Sequence, residues 1–216
     1  QQLKLVSDQG ISHWKLYEKE GIALAFAVGA DGVGVLEPQK AVVHAFLPTT
    51  EQTGIGVKIN ADISTDPSRT RVVFDDRTTH ILEQITDLIL ELIQDCLENH
   101  SKHFSGDDFK ALMPFSDPRL GQFQKKSFQT ELFRLLIAKG KTRFAAYKAK
   151  PHWLNAADFN QILQHAPYHA IPQHFESIQG VNKWLHILGI PEARPVDLFP
   201  YLTKSALSIT GCAEVL

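Results

Sequence analysis

Between Thr79 and Glu98, apolar side chains fall at Ile81, Leu82, Ile85, Leu88, Ile89, Leu92, Ile93, Cys96 and Leu97. This is the period of one buried helix face, ~3.6 residues, sustained for about five turns, and Thr79 is placed to cap its start. The opposite face carries Glu83, Asp87, Glu91, Asp95 and Glu98, a solvated surface to which we assign no chemistry. A helix with so long an apolar stripe has to lie on something, and the residues before it read as a sheet. The run 22–28 sets Leu24, Phe26 and Val28 on one side with alanines between, which suits a strand covered on both faces. Gly29-Ala30-Asp31-Gly32 turns it and 33–36 returns, forming a hairpin. Trp14, Leu16 and Tyr17 mark a preceding strand, 41–47 another that stops at Pro48, and 56–63 another that stops before Asp66-Pro67.

Beyond the long helix, residues 101–118 accumulate Gly, Asp, Ser and Pro and read as a linker. A helix is expected at 128–138. Lys139-Gly140-Lys141 then turns the chain into a short strand at 142–147 that forms a hairpin. Asn155, with Asp158 three residues on, caps a helix through Leu163; 181–188 is a helix closed by Gly189 and Pro191; Pro195 with Asp197 starts another; 205–216 reads as a last one. The expected fold is α+β. Residues 1–100 form a mixed or antiparallel sheet backed by the long helix, and 119–216 form a mainly helical domain with one short hairpin.

Composition excludes several classes. Hydrophobic residues make up 44% of the 216, and no apolar run approaches the ~20 residues of a membrane-spanning helix, so no membrane partner is expected. Lys plus Arg number 22 against 24 Asp plus Glu, and a net charge of -2 gives no global field for nucleic acid. Cys96 and Cys212 both lie in apolar helical patterns, which speaks against a disulfide framework and for a reducing, cytoplasmic location. The chain opens on Gln1-Gln2 without Met and ends in the apolar Ala213-Glu214-Val215-Leu216, so we expect a piece of a longer polypeptide.

Local clusters are the remaining sources of chemistry. Asp31-Gly32-Val33-Gly34 and Thr53-Gly54-Ile55-Gly56 imitate the two glycine motifs of a Bergerat-type ATP site. That site also needs an Asn and a Glu on an upstream helix, whereas the segment here is strand-like and has no Asn before Asn60, so hairpin turns explain the glycines better. Among ten histidines, His100 and His103 with Asp107 and Asp108, or His165, His169 and His174, have workable ligand spacing but match no zinc signature, and no metal is expected. The stretch 119–150 is basic: Arg119, Lys125, Lys126, Arg134, Lys139, Lys141, Arg143, Lys148 and Lys150 stand against Glu131 alone. With Phe123, Phe128, Phe133, Phe144 and Tyr147 interleaved, it is a candidate nucleic-acid surface through Lys125, Lys126, Lys139, Lys141 and Arg143. The ring spacing also suits a core.

One pattern is specific. Phe46-Leu47-Pro48-Thr49, Glu51, Thr53-Gly54-Ile55, Asn60-Ala61-Asp62-Ile63 and Arg69 resemble, in residues and spacing, the segment that follows the ATP-binding domain in sacsin-like and heat-shock-chaperone-like GHKL ATPases. Two positions depart from that pattern: Thr50 stands where the family commonly has Lys, and Thr79-His80 where it has Trp-Asn. The resemblance implies that residues 1–100 are a transducer-like domain, and that an ATP-binding domain precedes Gln1 in the parent chain. It further implies that ATP and magnesium belong to the parent and not to this piece. The implied role is non-catalytic: coupling nucleotide state to rearrangement of a homodimer or of a partner. Related ATPases bring a cation from the second domain to the γ-phosphate, which marks Arg69, with Lys58 and Arg71 as neighbours of suitable chemistry. The competing structural reading has Arg69 pairing with Asp62 or Asp66 and holding a turn. From another class, the alternative is a nucleic-acid or protein interaction module, as in a bacterial defence or restriction ATPase, using the 119–150 surface.

Overall fold

A computed structural model describes residues 2–7, 10–30, 32–98, 106–119 and 126–204. The chain divides into two compact units, Gln1–Leu136 and Ile137–Leu216. The division falls inside a helix and not in 101–118. In that stretch the described residues from 106 belong to the first unit: Phe109, Ala111 and Leu112 are fully buried, and the Ala111 carbonyl accepts the Gly56 N–H at 2.7 Å. Turn-rich composition there conceals a piece of core.

The first unit is α+β with a seven-stranded mixed sheet. Its strands are β1 (Gln2–Ser7), β2 (Gly10–Lys19), β3 (Ile22–Gly29), β4 (Gly32–Gly34), β5 (Val42–Ala45), β6 (Leu47–Gln52) and β7 (Lys58–Asn60). Their order is β1-β2-β3-β7-β5-β6, with β4 also on β3; only β5 and β7 run parallel. Lys19 pairs with Ile22 across a two-residue loop, Glu20-Gly21, in which both residues have positive φ; this is the twist that closes a tight hairpin. The expected β3–β4 hairpin forms, with Gly29 opposite Gly32, and Asp31 lies outside the described residues.

Pro48 does not end a strand. The chain reverses at Phe46, and Pro48 lies within β6 opposite His44. A proline is tolerated there because β6 ends the ladder order and its missing N–H removes no central hydrogen bond.

Helix α1 (Asp76–Leu97) presents the expected stripe. Its cap is Asp75, whose carboxylate accepts the Thr78 N–H at 2.8 Å; Thr79, the expected cap, lies in the first turn and donates its hydroxyl to the Asp75 carbonyl. Ile85, Ile89 and Ile93 of α1 are fully buried, as are Leu24, Phe26, Val43 and Ile59 on one face of the sheet. Helix α2 (Gly106–Ala111) follows, then α3 (Phe128–Arg143), whose first half belongs to this unit.

The segment 53–57 runs buried through the unit. Thr53 Oγ1 lies 2.8 Å from the Ile55 carbonyl, 3.0 Å from Val57 and 3.2 Å from Ala41. Gly54 has φ +82, and a Cβ there would stand 2.6 Å from both Gln129 Cγ and Phe133 Cε2. Only glycine meets both the backbone conformation and the approach of α3.

In the second unit, α3 continues through Gly140 where a turn was expected. A Cβ at Gly140 would lie 3.1 Å from the Leu188 carbonyl and Cδ2, so the glycine permits close packing and does not break the helix. The expected strand 142–147 and its hairpin are replaced by a parallel pair, β8 (Tyr147–Lys148) with β9 (His169–Ala170), joined through α4 (Ala156–Leu163); a parallel pair needs such a crossover. Asn155 caps α4 by accepting the Asp158 N–H, as its sequence spacing indicates. Helices α5 (Val181–Ile187) and α6 (Pro195–Leu198) match expectation. At α6 the Asp197 carboxylate accepts the Arg194 N–H and both guanidinium contacts, with Lys148 Nζ at 3.6 Å, and these partners hold its pKa below the usual range. The helix expected at 205–216 and Cys212 lie outside the described residues. Among the described residues no helix is long and apolar enough to cross a membrane.

Gly54→Ala forces a Cβ into a left-handed backbone position already in contact with α3. It is expected to cost about 2–4 kcal/mol of stability in urea denaturation.

Candidate functional site

Most residues of the specific pattern are structural. Thr49 is buried and donates its hydroxyl to the Val43 carbonyl at 2.9 Å. Glu51 Oε2 accepts the Phe128 N–H at 3.3 Å, placing a carboxylate at the positive end of α3. Thr53, Gly54 and Gly56 build the buried segment described above. Asn60 ends β7 and its amide oxygen accepts the Phe46 N–H at 3.3 Å, while Ala61 donates to the His44 carbonyl at 3.1 Å.

The exposed part is the turn between Thr65 and Val72, which pair with each other. Its centre is Asp66, whose carboxylate accepts Ser68 Oγ at 2.7 Å, the Thr70 N–H at 2.8 Å and the Arg71 N–H at 3.1 Å. These bonds, the Ser68 hydroxyl foremost, hold the Asp66 pKa below the ordinary carboxylate range. The Asp66 carbonyl accepts the Arg69 N–H at 2.8 Å, and Arg69 takes φ +56, an uncommon conformation for a non-glycine residue. The turn is also tied to β6: the Thr70 carbonyl accepts both the N–H and the hydroxyl of Thr50, at 2.9 and 2.7 Å. Thr50 therefore fastens the turn to β6 through two hydrogen bonds.

Neither ion pair expected for Arg69 forms. Asp62 pairs with Arg77, and Asp66 is occupied by the donors of its own turn. Arg69 and Arg71 are exposed, and neither has an ion-pair partner among the described residues. Lys58 is not part of this group. It lies on β7 with its Nζ 4.9 Å from the Trp14 ring centre, and strands β5 and β6 separate β7 from the turn, about 10 Å or more at ~4.8 Å per strand. Burial, with the Lys58 charge, lowers the His44 pKa. The structure thus joins Arg69 with Arg71 and leaves Lys58 apart.

The basic stretch is divided between the two units. Lys126, in the first, stands 4.6 Å over the Phe74 ring; Lys139, Lys141 and Arg143 lie in the second on the end of α3; Lys125 and Phe123 lie outside the described residues. Phe128, Phe133, Phe144 and Tyr147 are buried, so these four rings are core and offer no stacking platform. Arg119 pairs with Asp117, Arg134 with Glu131, and Lys148 with Asp197.

Among the described residues no three His, Cys, Asp or Glu side chains could hold a metal ion. His169 stacks on Tyr147 and His174 on Phe175, while His100 and His103 lie outside the described residues. Cys96 is buried, and burial, followed by the charges of Asp108 and Asp95, pushes its thiol pKa up to about 12, which leaves it inert as a nucleophile.

Among the ion pairs that sequence reasoning missed, one is buried. Lys15 Nζ lies 2.7 Å from the fully buried Asp108 Oδ2, and burial, with the Asp108 charge, raises the Tyr17 pKa. Partners 93 positions apart leave no local signal. Comparison with family models, with curated proteins and with solved structures returns no match.

Because its native pKa is depressed, the Asp66 carboxylate stabilises the turn at pH above ~3.9, the unfolded value, and this contribution is lost as pH falls through the lower native value. In an NMR titration the Thr70 and Arg71 amide shifts are expected to move together in that acid window. Asp66→Asn should abolish the transition.

Proposed function

We propose that the chain is the coupling region of a larger GHKL ATPase of the sacsin-like or heat-shock-chaperone-like kind. In this reading it takes up the nucleotide state of a preceding ATP-binding domain and passes it to a dimer or partner. The observation that carries the proposal is the turn 65–72, in which the resembling segment ends at Arg69. It presents two guanidiniums, Arg69 and Arg71, to solvent without ion-pair partners among the described residues, on a backbone fastened by Asp66 and Thr50.

The chemistry follows from the guanidinium. Its planar fork matches phosphate oxygens as well as carboxylates, and a cation fixed before reaction stabilises charge developing on a transferred phosphoryl group without reorganising. ATP and its magnesium ion would be held by the preceding domain. This chain's residues supply only the approach: Asp66 holds the turn, Thr50 docks it on β6, and Arg69 reaches outward. Helix α3 carries residues of both units, 128–136 of the first and 137–143 of the second.

The test is ATP turnover by the full polypeptide. Arg69→Ala is expected to slow turnover by about 100-fold or more, with Arg69→Lys recovering part of the loss and thermal stability unchanged, since the side chain is exposed. Turnover by the Arg69→Ala polypeptide equal to that of the unmodified one would remove Arg69 from the chemistry. A polypeptide that neither binds nor hydrolyses ATP would remove the reading altogether.

A further inference from the structure

Lys148 stands in the middle of the second unit. It lies in β8, with β9 parallel to it on one side; on the other, Ala149 bonds in parallel register to Pro191 and Ala193 of the segment 191–193. Opposite Lys148 is Ala170, which packs with Ala193 against Phe159 and Ile162 of α4 and Leu198 of α6. Lys148 is only 9% exposed, a degree of burial that lysine accepts where its charge is paired and hydrogen-bonded. Here the pairing is incomplete. Its Nζ lies 5.0 Å from the centre of the Tyr168 ring and 3.6 Å from Asp197 Oδ2, and the second distance is too long for a hydrogen bond. The ammonium carries three protons, and none of them has an acceptor within hydrogen-bond distance among the described residues.

Asp197 is committed to another cation. Its Oδ2 accepts the Arg194 backbone N–H at 3.0 Å and Nε–H at 3.2 Å, and its Oδ1 accepts Nη2 at 3.2 Å. The Lys148 ammonium and the Arg194 Nε therefore both stand within 3.6 Å of one oxygen, while the Arg194 side chain is 73% exposed and Asp197 does not engage its Nη1. Lys148 and Arg194 are the cations that act on Asp197, two positive charges against one negative. The enclosed cation is the one without hydrogen bonds. An acceptor bearing negative charge fits this arrangement, since it answers the donors and the surplus charge together. We infer that Lys148, Arg194 and the Tyr168 ring form a binding site for a small oxyanion, a carboxylate or a phosphate group. Lys148 donates to it from inside and Arg194 Nη1 from the rim, while the Tyr168 ring fixes the ammonium by a cation–π contact. The site lies wholly in the second unit and does not depend on the coupling function.

Thermal unfolding and calorimetric titration of the purified full chain test this, with inorganic phosphate or acetate added against a chloride background of constant ionic strength. Saturable binding of at least one of the two, with a matching rise in Tm, is expected. Binding of phosphate alone identifies a phosphate site, and binding of acetate a carboxylate site. Lys148→Met keeps an aliphatic stem and removes a poorly bonded buried charge, so without added anion the variant should be at least as stable as the unmodified chain. It should nonetheless weaken anion binding by about 30-fold or more. Arg194→Gln, at an exposed position, should weaken it as well and decides the matter if Lys148→Met does not fold. A merely structural lysine would give the reverse: a less stable Lys148→Met chain and no response to either anion. Absence of saturable binding by both anions, or binding undiminished in the folded variants, would overturn the proposal.

Discussion

The hydroxyl of Thr53 holds the middle of the first unit together. It has one proton to donate and three carbonyls within reach, those of Ala41, Ile55 and Val57, and it is fully buried. Backbone carbonyls enclosed without a partner are costly, so an irregular segment can pass through a core only if something satisfies them. Here the Ala41 carbonyl accepts the Thr53 N–H, the Ile55 carbonyl accepts the Val57 N–H, and the single Thr53 hydroxyl proton is shared among the three, so 53–57 lies buried without being a strand, with Gly56 bonded to the end of α2 and Gly54 against α3. A valine of nearly the same shape would fill the space and remove that one side-chain donor.

This division of labour changes how the resembling segment is understood. Thr49, Glu51, Thr53, Gly54 and Gly56 face inward or cap a helix, and their spacing is that of a folding unit. Phe46, Arg69 and Arg71 face outward, and two of them, Phe46 and Arg69, take positive φ, a conformation that bulky side chains rarely adopt. Backbone strain persists only where surrounding bonds over-determine it. Both sites show such bonds: Asn60 takes the N–H of Phe46, while Asp66 and Thr50 fix the loop that carries Arg69. The interior thus specifies the position of the exposed groups more tightly than their own local preferences would.

How much of this was legible depended on whether the signal was local. The stripe of α1 has a fixed period and needed only packing to complete it, and the Asn155 cap of α4 is written within four residues. The start of α1 was misplaced because Asp75 and Thr79 are both good caps one turn apart, and only the geometry of the Thr78 N–H selects between them. Pro48 and Gly140 were taken as punctuation. Each instead occupies a place where its defect is harmless or useful, a peripheral strand and a close contact with Leu188. The partners of Arg69 were misjudged for a related reason. Sequence proximity put Asp66 beside it, but hydroxyl and backbone donors nearer still had claimed that carboxylate.

A carboxylate used in this way alters what its neighbours can do. Had Asp66 paired with Arg69, the guanidinium would have been folded onto its own turn, and an incoming phosphate or carboxylate would have had to displace it. Satisfied by Ser68, Thr70 and the Arg71 backbone, Asp66 instead stiffens the loop and leaves the guanidinium its full set of donors. Stiffness and availability are usually in conflict for a long side chain on a surface, because ordering it costs entropy and pairing it consumes its charge. Here the order resides in the backbone, and the charge remains unspent at its tip. A binding group so arranged loses less on engagement than a free loop would, and this preorganisation suits an anion.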